Sequence, residues 1–175
     1  DARNYAGPHP VVAHPPCQRW GRFWHGSTRK PHQYKLGDDG GCFEAALKAL
    51  KRFGGVLEHP AHSRAWDAFS ILKPAAGAGW QFDRPHGVWV CHVEQGRYGH
   101  PAKKATWLYA YGVSDLPSLR WSPIADGEST ALVSWCGNRV KSGERRPRVG
   151  KDNASRTPPE FKETLMQIAR SARNL

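Results

Sequence analysis

The pattern of apolar and polar positions predicts alternating strands and helices in the first sixty residues. A short apolar run at 11–13 predicts a buried strand, which ends at Pro15 and Pro16 because proline lacks the backbone N–H that a sheet requires. Between 42 and 53, apolar side chains recur at helical spacing with lysines opposite, which predicts an amphipathic helix. A second apolar run follows at 55–60. Strand, helix and strand in this order indicate a crossover unit with parallel neighbouring strands.

The remaining elements are shorter or less regular. A short helix is expected around 65–72, and apolar alternation predicts strands at 88–95 and 105–113, close enough in sequence to form a hairpin. Residues 114–155 are expected to be irregular. Prolines followed by apolar residues on one face predict a helix within 157–174.

These elements predict an α/β fold with a mostly parallel sheet and a C-terminal β-hairpin. We expect one α/β core over residues 1–113. In residues 114–175 we expect a basic irregular segment, with its charge concentrated at 138–151, and a C-terminal helix that packs on the core.

The charge balance indicates a polyanionic partner. Lys and Arg number 26 against 15 Asp and Glu, which gives a net charge of +11. Such an excess favours nucleic acid first and another acidic surface second, while solubility alone is the simpler alternative.

Cysteine and histidine spacing argues against a disulfide framework and a metal site. The four cysteines, at positions 17, 42, 91 and 136, never form C-x-x-C, which predicts free thiols in a reducing, cytoplasmic setting. The nine histidines show no ligand spacing. No apolar run is long enough for a membrane span and no leader is visible, so no membrane partner is expected. Because the chain begins at Asp1, we expect that it was processed or trimmed.

Two polar residues mark a candidate site. Cys17 follows the first predicted strand, and Glu58 lies at the end of the second. The carboxyl ends of parallel strands share one edge of a sheet, so both side chains are expected there. Separately, a buried cysteine and a solvated turn glutamate are the simpler interpretations; together, the two residues suggest a nucleophile and an acid or base. The cationic neighbour Arg19 is expected to lower the pKa of the thiol.

Three segments carry a resemblance to a known family. Residues 15–18 read PPCQ, residues 57–60 read LEHP, and residues 98–112 read YGHPAKKATWLYAYG. This order resembles the DNA cytosine-5 methyltransferases, in which Pro-Pro-Cys-Gln carries the nucleophile, a Glu-Asn-Val motif the glutamate, and Tyr-Gly-x-Pro-Gln-x-Arg-x-Arg positive charge. The family's two arginines fall on Lys104 and Thr106, so one cation is kept. The same pattern is similar to that of small phage and prophage proteins.

The resemblance implies a Rossmann-like fold and a methyltransferase-like DNA-modifying enzyme. Cys17 would add to C6 of a cytosine in DNA, Glu58 would bind the N3/N4 edge, and Lys104 would stabilise developing negative charge, with Arg97 as a possible second cation. The implied cofactor is S-adenosylmethionine, contacted by Asp1 and Pro16. The setting is the cytoplasm of a bacterial or phage-infected cell. The implied nucleic-acid contacts are Gln18, Arg19, Arg97, Tyr98, Lys103, Arg139, Arg145, Arg146 and Arg148.

Parts of the family's pattern are missing from the sequence, including its closing Gly-Asn motif and a large target-recognition domain. The Phe-x-Gly-x-Gly turn that cradles S-adenosylmethionine lies upstream of the acidic turn that "DARNY" resembles, and this chain starts at that turn. Two alternatives therefore stay open. One is a degenerate nucleic-acid-binding protein without transfer activity, and the other is a thiol-dependent enzyme on free pyrimidine nucleotides.

Overall fold

The computed structural model describes residues 2–21, 24–26, 33–125, 128–133 and 147–173. The strands in chain order are β1 (Val11–Ala13), β2 (Gly55–Pro60), β3 (Gln81–Asp83), β4 (Val88–Glu94), β5 (Ala105–Tyr111), β6 (Leu132–Val133) and β7 (Arg148–Val149). The helices are α1 (Cys42–Phe53), α2 (Ala65–Ala68), α3 (Lys151–Ser155) and α4 (Pro159–Arg170). Short 3₁₀ turns cover Ala2–Asn4 and Gln95–Tyr98.

The main sheet is mixed and open, with five strands in the order β1-β2-β5-β4-β3. The predicted parallel pair is confirmed, since β1 runs parallel to β2. The prediction of a mostly parallel sheet is wrong, because the β2–β5, β4–β5 and β3–β4 pairs are all antiparallel. The predicted hairpin inserts β5 between β2 and β4, and so short a connection permits only antiparallel pairing. The fold is α/β and corresponds only in part to a Rossmann-like sheet.

Helix α1 has the bounds that the sequence predicts. Its apolar face, including Phe43 and Leu50, is fully buried against the sheet. The carboxylate of Asp39 accepts hydrogen bonds from the backbone N–H groups of Gly41 (2.9 Å) and Phe43 (2.9 Å), which have no partner inside the helix. Gly54 ends the helix with a φ of 70°, a conformation that favours glycine.

The other predictions differ from the structure mainly in length. The helix expected around 65–72 is a single turn, α2, and the helix within 157–174 is α4. The sequence pattern did not reveal β3, β6, β7 or α3. Strands of two or three residues are too short to show an alternating pattern, so they form only where a neighbouring segment offers hydrogen bonds.

The sheet is covered on both faces. Helices α1 and α2 bury Phe43 and Trp66 against one face, together with Trp107 of β5. Helix α4 buries Phe161 and Leu165 against the other face. Within the described ranges, no helix is long and apolar enough to cross a membrane.

Candidate active site

The three predicted catalytic residues meet at one edge of the main sheet. Strands β1 and β2 are parallel and end at this edge, whereas β5 is antiparallel to β2 and begins there. Cys17 follows β1, Glu58 lies near the end of β2, and Lys104 immediately precedes β5. Each pair among these three residues is close enough for one charge to shift the other group's pKa. The structure thus brings together residues from three distant parts of the sequence.

Glu58 is held by two side chains that the sequence did not single out. Glu58 is 7% exposed, and its Oε2 lies 2.7 Å from His14 Nδ1. Oε1 accepts a hydrogen bond of 3.0 Å from Nε2 of Gln95, and the same Nε2 donates to Thr106 Oγ1 at 2.9 Å. Gln95 is fully buried. The orientation of Glu58 is therefore fixed from two sides. Both partners sit where a strand ends, and that position is the only sequence signal that could have indicated them.

Cys17 is half-buried and begins a helical turn in which its carbonyl accepts hydrogen bonds from the N–H groups of Trp20 (3.1 Å) and Gly21 (3.0 Å). Burial raises the pKa of the Cys17 thiol, and the nearby Glu58 carboxylate raises it further. Its own backbone N–H and Lys104 oppose this rise. The prediction of a lowered thiol pKa is therefore wrong.

Arg19 explains part of this difference. Its guanidinium lies over the ring of Tyr34, 3.3 Å from the ring centroid, and donates a hydrogen bond of 3.3 Å to the carbonyl of Trp24. The Arg19 side chain, which lies close to Cys17 in sequence, is therefore engaged with an aromatic ring and a backbone carbonyl. It is not among the groups that shift the pKa of the thiol.

Lys104 is the cation of the site. Its Nζ donates hydrogen bonds to the carbonyls of Ser155 (3.0 Å) and Arg156 (2.7 Å), at the segment that precedes α4. Burial lowers the pKa of Lys104, while Glu58 and Cys17 oppose that fall. Because an ammonium has three N–H donors, one remains beyond these two hydrogen bonds.

Arg97 serves a different contact from the one predicted. Its guanidinium donates to the backbone oxygens of Ser122 (3.0 Å) and Pro123 (2.7 Å) and forms an ion pair with Glu128. These bonds tie the 3₁₀ turn to the segment around 122–128. The described contacts of the Arg97 side chain are all to this segment, and its backbone oxygen accepts a hydrogen bond from the guanidinium of Arg120. These internal contacts account for Arg97 without a substrate.

Tyr98 and Lys103 also make internal contacts. Tyr98 is 5% exposed and packs on Phe161 of α4, with 4.9 Å between the ring centroids, so its ring is not available for stacking on a base. Lys103 Nζ donates to the carbonyl of Ile124 at 2.8 Å. Tyr98 is buried because α4 packs on it. The polar residues next to Tyr98 in sequence do not indicate this contact.

The other described residues among the predicted contacts lie at the surface. Gln18 and Pro16 are exposed beside Cys17, and Arg148 is exposed on β7. Four predicted residues lie outside the described part of the chain: Asp1, Arg139, Arg145 and Arg146.

Cavity volume does not locate the site. A surface cavity of about 460 Å³ is lined by residues 33–38, and another of about 120 Å³ is lined by residues within 96–101 and 124–130. Neither lining includes Cys17, Glu58 or Lys104. We locate the site by its interacting thiol, carboxylate and ammonium, because these groups carry chemistry and an open surface depression does not. The described residues contain no cluster of three or more His, Cys, Asp or Glu that could hold a metal ion.

No model of a known protein family matches this chain, and no curated protein or solved structure matches it either. The functional conclusion therefore rests on the chemistry of the residues at the sheet edge.

Proposed function

We propose that this protein modifies cytosine in DNA by covalent addition of the Cys17 thiol to C6 of the base. One observation carries the proposal: Cys17, Glu58 and Lys104 act on one another at a single edge of the sheet. A nucleophile, an acid or base and a cation are the groups that addition to a pyrimidine ring requires.

The proposed step is a conjugate addition. The S–H bond of Cys17 breaks, its proton leaves to solvent, and sulfur bonds to C6. The C5=C6 double bond shifts to C4=C5, and the electrons of the C4=N3 bond take up a proton at N3. C5 then becomes nucleophilic and takes a proton from water. Loss of a C5 proton to water re-forms the C4=C5 bond. Its electrons then re-form C5=C6 and expel the thiolate, while the N3 proton leaves and the C4=N3 bond re-forms. The thiolate regains a proton from solvent, so this reversible cycle restores the base and exchanges the hydrogen at C5.

Glu58 and Lys104 have separate roles in this step. The Glu58 carboxylate, fixed by His14 and Gln95, binds the N3/N4 edge of cytosine and favours protonation at N3. Lys104 uses its remaining N–H to stabilise the thiolate as it forms. The raised pKa keeps Cys17 protonated in the free protein, so the thiol ionises only when a base is bound beside Lys104.

DNA is the proposed substrate because of the charge. A net charge of +11 attracts the phosphate backbone, and this attraction weakens as salt is added. A base must leave the helical stack or be single-stranded to reach a partly buried thiol.

The described residues do not fit an S-adenosylmethionine site. Pro16, the described residue that the resemblance assigns to the cofactor, is exposed beside Cys17. The one Gly-x-Gly in the sequence, at 77–79, precedes β3 and follows no strand, so it lacks the strand-to-turn setting of a cofactor cradle. The proposed reaction of this chain is therefore limited to addition at C6 and activation of C5.

Hydrogen exchange at C5 tests the proposal without a methyl donor. A single-stranded oligonucleotide containing one cytosine is incubated with the protein in D₂O, and deuterium at C5 is measured by mass spectrometry. We expect exchange with the wild-type protein and a loss of at least about a hundredfold in Cys17→Ser. Cys42→Ser is the matched control, since Cys42 is also a half-buried free thiol but starts α1. Exchange that survives in Cys17→Ser would contradict the proposal.

The same experiment separates the alternatives. The raised pKa of Cys17 favours a binding protein without catalysis as the second candidate. That function predicts a gel shift of the oligonucleotide at low salt with no exchange under any condition. An enzyme of free nucleotides predicts faster exchange on deoxycytidine monophosphate than on the oligonucleotide.

A further inference from the structure

His14 links the buried carboxylate of the site to the protein surface. Its Nδ1 lies 2.7 Å from Glu58 Oε2, and the side chains are 41% and 9% exposed. His14 is the residue just before the two prolines, so the end of β1 fixes its backbone position. An ionisable ring thus touches Glu58 at one end and reaches solvent with the other.

The hydrogen bonds of Glu58 leave a defined pair of acceptors. An ionised carboxylate has about four lone-pair sites, two on each oxygen. His14 occupies one on Oε2 and Gln95 occupies one on Oε1, so one acceptor remains on each oxygen. Two adjacent acceptors match two adjacent donors. The edge of cytosine presents an N4–H donor, and N3 becomes a donor only when it is protonated.

We propose that His14 is a positioning residue that supplies, through Glu58, the proton taken up at N3 of cytosine. The proton moves from His14 Nδ1 to Glu58 Oε2 and from the carboxyl group to N3, and His14 regains a proton from solvent. No oxidant or second substrate is needed. This inference rests on the proposed function and adds the source of the proton to it.

The other groups around Glu58 are poor sources of that proton. They are Cys17, His59, Gln95 and Lys104. The Gln95 amide does not ionise, and Lys104 Nζ has two of its N–H groups on backbone carbonyls and the third assigned to the thiolate. His59 is fully buried and packs on Phe43, on the α1 side of the sheet. Cys17 is the attacking group, which leaves His14.

The test compares C5 exchange across pH in the wild-type protein, His14→Asn and His9→Asn. Asparagine can still donate a hydrogen bond to Glu58 but cannot release a proton. We expect His14→Asn to lower the maximal exchange rate by at least about tenfold, with KM within about twofold. The pH profile of the rate should also differ between the wild-type protein and His14→Asn, because the asparagine cannot pass a proton to Glu58. His9 is an exposed histidine near β1, and His9→Asn should keep the wild-type profile.

The outcomes are distinguishable. If the wild-type protein exchanges and His14→Asn keeps the same rate and pH profile, the proton-source role is wrong while the proposed function stands. A His14→Asn variant that loses affinity but keeps the wild-type maximal rate and pH profile shows a purely structural role, which also overturns the inference. If the wild-type protein shows no exchange, the proposed function fails, and the inference fails with it. Thermal unfolding of each variant checks that the fold is retained.

Discussion

Two buried glutamates lie at the same edge of the sheet, and their surroundings differ. Glu58 lies near the end of β2 and contacts His14 and Gln95, with Cys17 close by. Glu94 ends β4 and is 4% exposed. Its Oε2 accepts a hydrogen bond of 2.6 Å from the backbone N–H of Ile124, and its Oε1 lies 3.4 Å from the ammonium of Lys103.

The partners of Glu94 indicate a structural role. Besides its contact with Glu94, Lys103 donates to the carbonyl of Ile124. The three residues tie a connecting segment to the sheet. Glu58, by contrast, has a solvent-facing histidine on one oxygen and a thiol nearby. Glu94 also has a histidine beside it, with His92 Nε2 at 3.7 Å from its Oε1, but that histidine is buried. Burial of a carboxylate is therefore common to both residues, whereas a solvent-facing histidine together with a nearby thiol distinguishes Glu58 from Glu94.

The largest expected effect separates the two glutamates by activity. Glu58→Gln should lower the rate of C5 exchange by about two to four orders of magnitude, because an amide cannot pass a proton to N3. Glu94→Gln should stay within about threefold of wild type, because its carboxylate only anchors a segment. The measurement is deuterium incorporation on the cytosine oligonucleotide. Equal losses in the two variants would remove the distinction drawn between them.

The second prediction concerns His59, which follows Glu58 but faces α1. Burial lowers the pKa of His59 to about 4 from 6.5, against the opposing effects of Glu58, the Pro16 backbone and Asp39. Between pH 4 and pH 6.5 this histidine binds more protons in the unfolded chain than in the folded protein. The stability that neutral His59 contributes is therefore fully present above pH 6.5 and is lost as the pH falls to about 4. The loss is about 3 kcal/mol. Urea unfolding at several pH values measures it.

A non-ionising replacement isolates this contribution. His59→Leu should show a shallower fall in the free energy of unfolding between pH 7 and pH 4, whereas His9→Asn should keep the wild-type slope. Parallel curves for His59→Leu and wild type would show that His59 does not titrate in this way. The result would also bear on Glu58, because a histidine that is neutral near pH 7 cannot be its proton source.

The third prediction concerns the stability role of Glu94. Glu94→Ala should lower the free energy of unfolding by about 2 kcal/mol, because the buried N–H of Ile124 loses its acceptor. Glu163→Ala is the control, since its ion pair with Arg170 is well exposed and should contribute less than about 1 kcal/mol. Urea unfolding at neutral pH gives both values. A Glu94→Ala protein as stable as wild type would refute the anchoring role.

The smallest expected effect is on the reactivity of the thiol. Because the pKa of Cys17 is raised, alkylation by iodoacetamide should be slow at neutral pH and rise at alkaline pH. Glu58→Gln should speed alkylation at neutral pH and Lys104→Met should slow it, each by less than about tenfold, since Glu58 raises and Lys104 lowers the pKa. Mass spectrometry of the Cys17 peptide measures the rate, with the Cys42 peptide as internal reference. Unchanged rates in both variants would place the three groups too far apart to act together.

Local patterns in the sequence determined the longer helices and the strands β1, β2, β4 and β5. Helical spacing of apolar residues defined α1 to the residue, and proline-bounded apolar runs defined β1 and β2. The crossover from β1 to β2 also implied that Cys17 and Glu58 share an edge, because connections of this kind join parallel strands. These features depend on neighbours within a few residues or on one helix, so the sequence carries them directly.

The tertiary structure decided the strand order, the pKa of the thiol and the partners of Glu58, because these features depend on which distant segments meet. Insertion of β5 beside β2 made the sheet mostly antiparallel and brought Lys104 to Cys17. Contact of Arg19 with Tyr34, together with burial, left the thiol pKa raised where sequence neighbours predicted a lowered one. His14 and Gln95 became partners of Glu58 only through strand pairing. Burial and charge act through space, and a pattern along the chain does not record them.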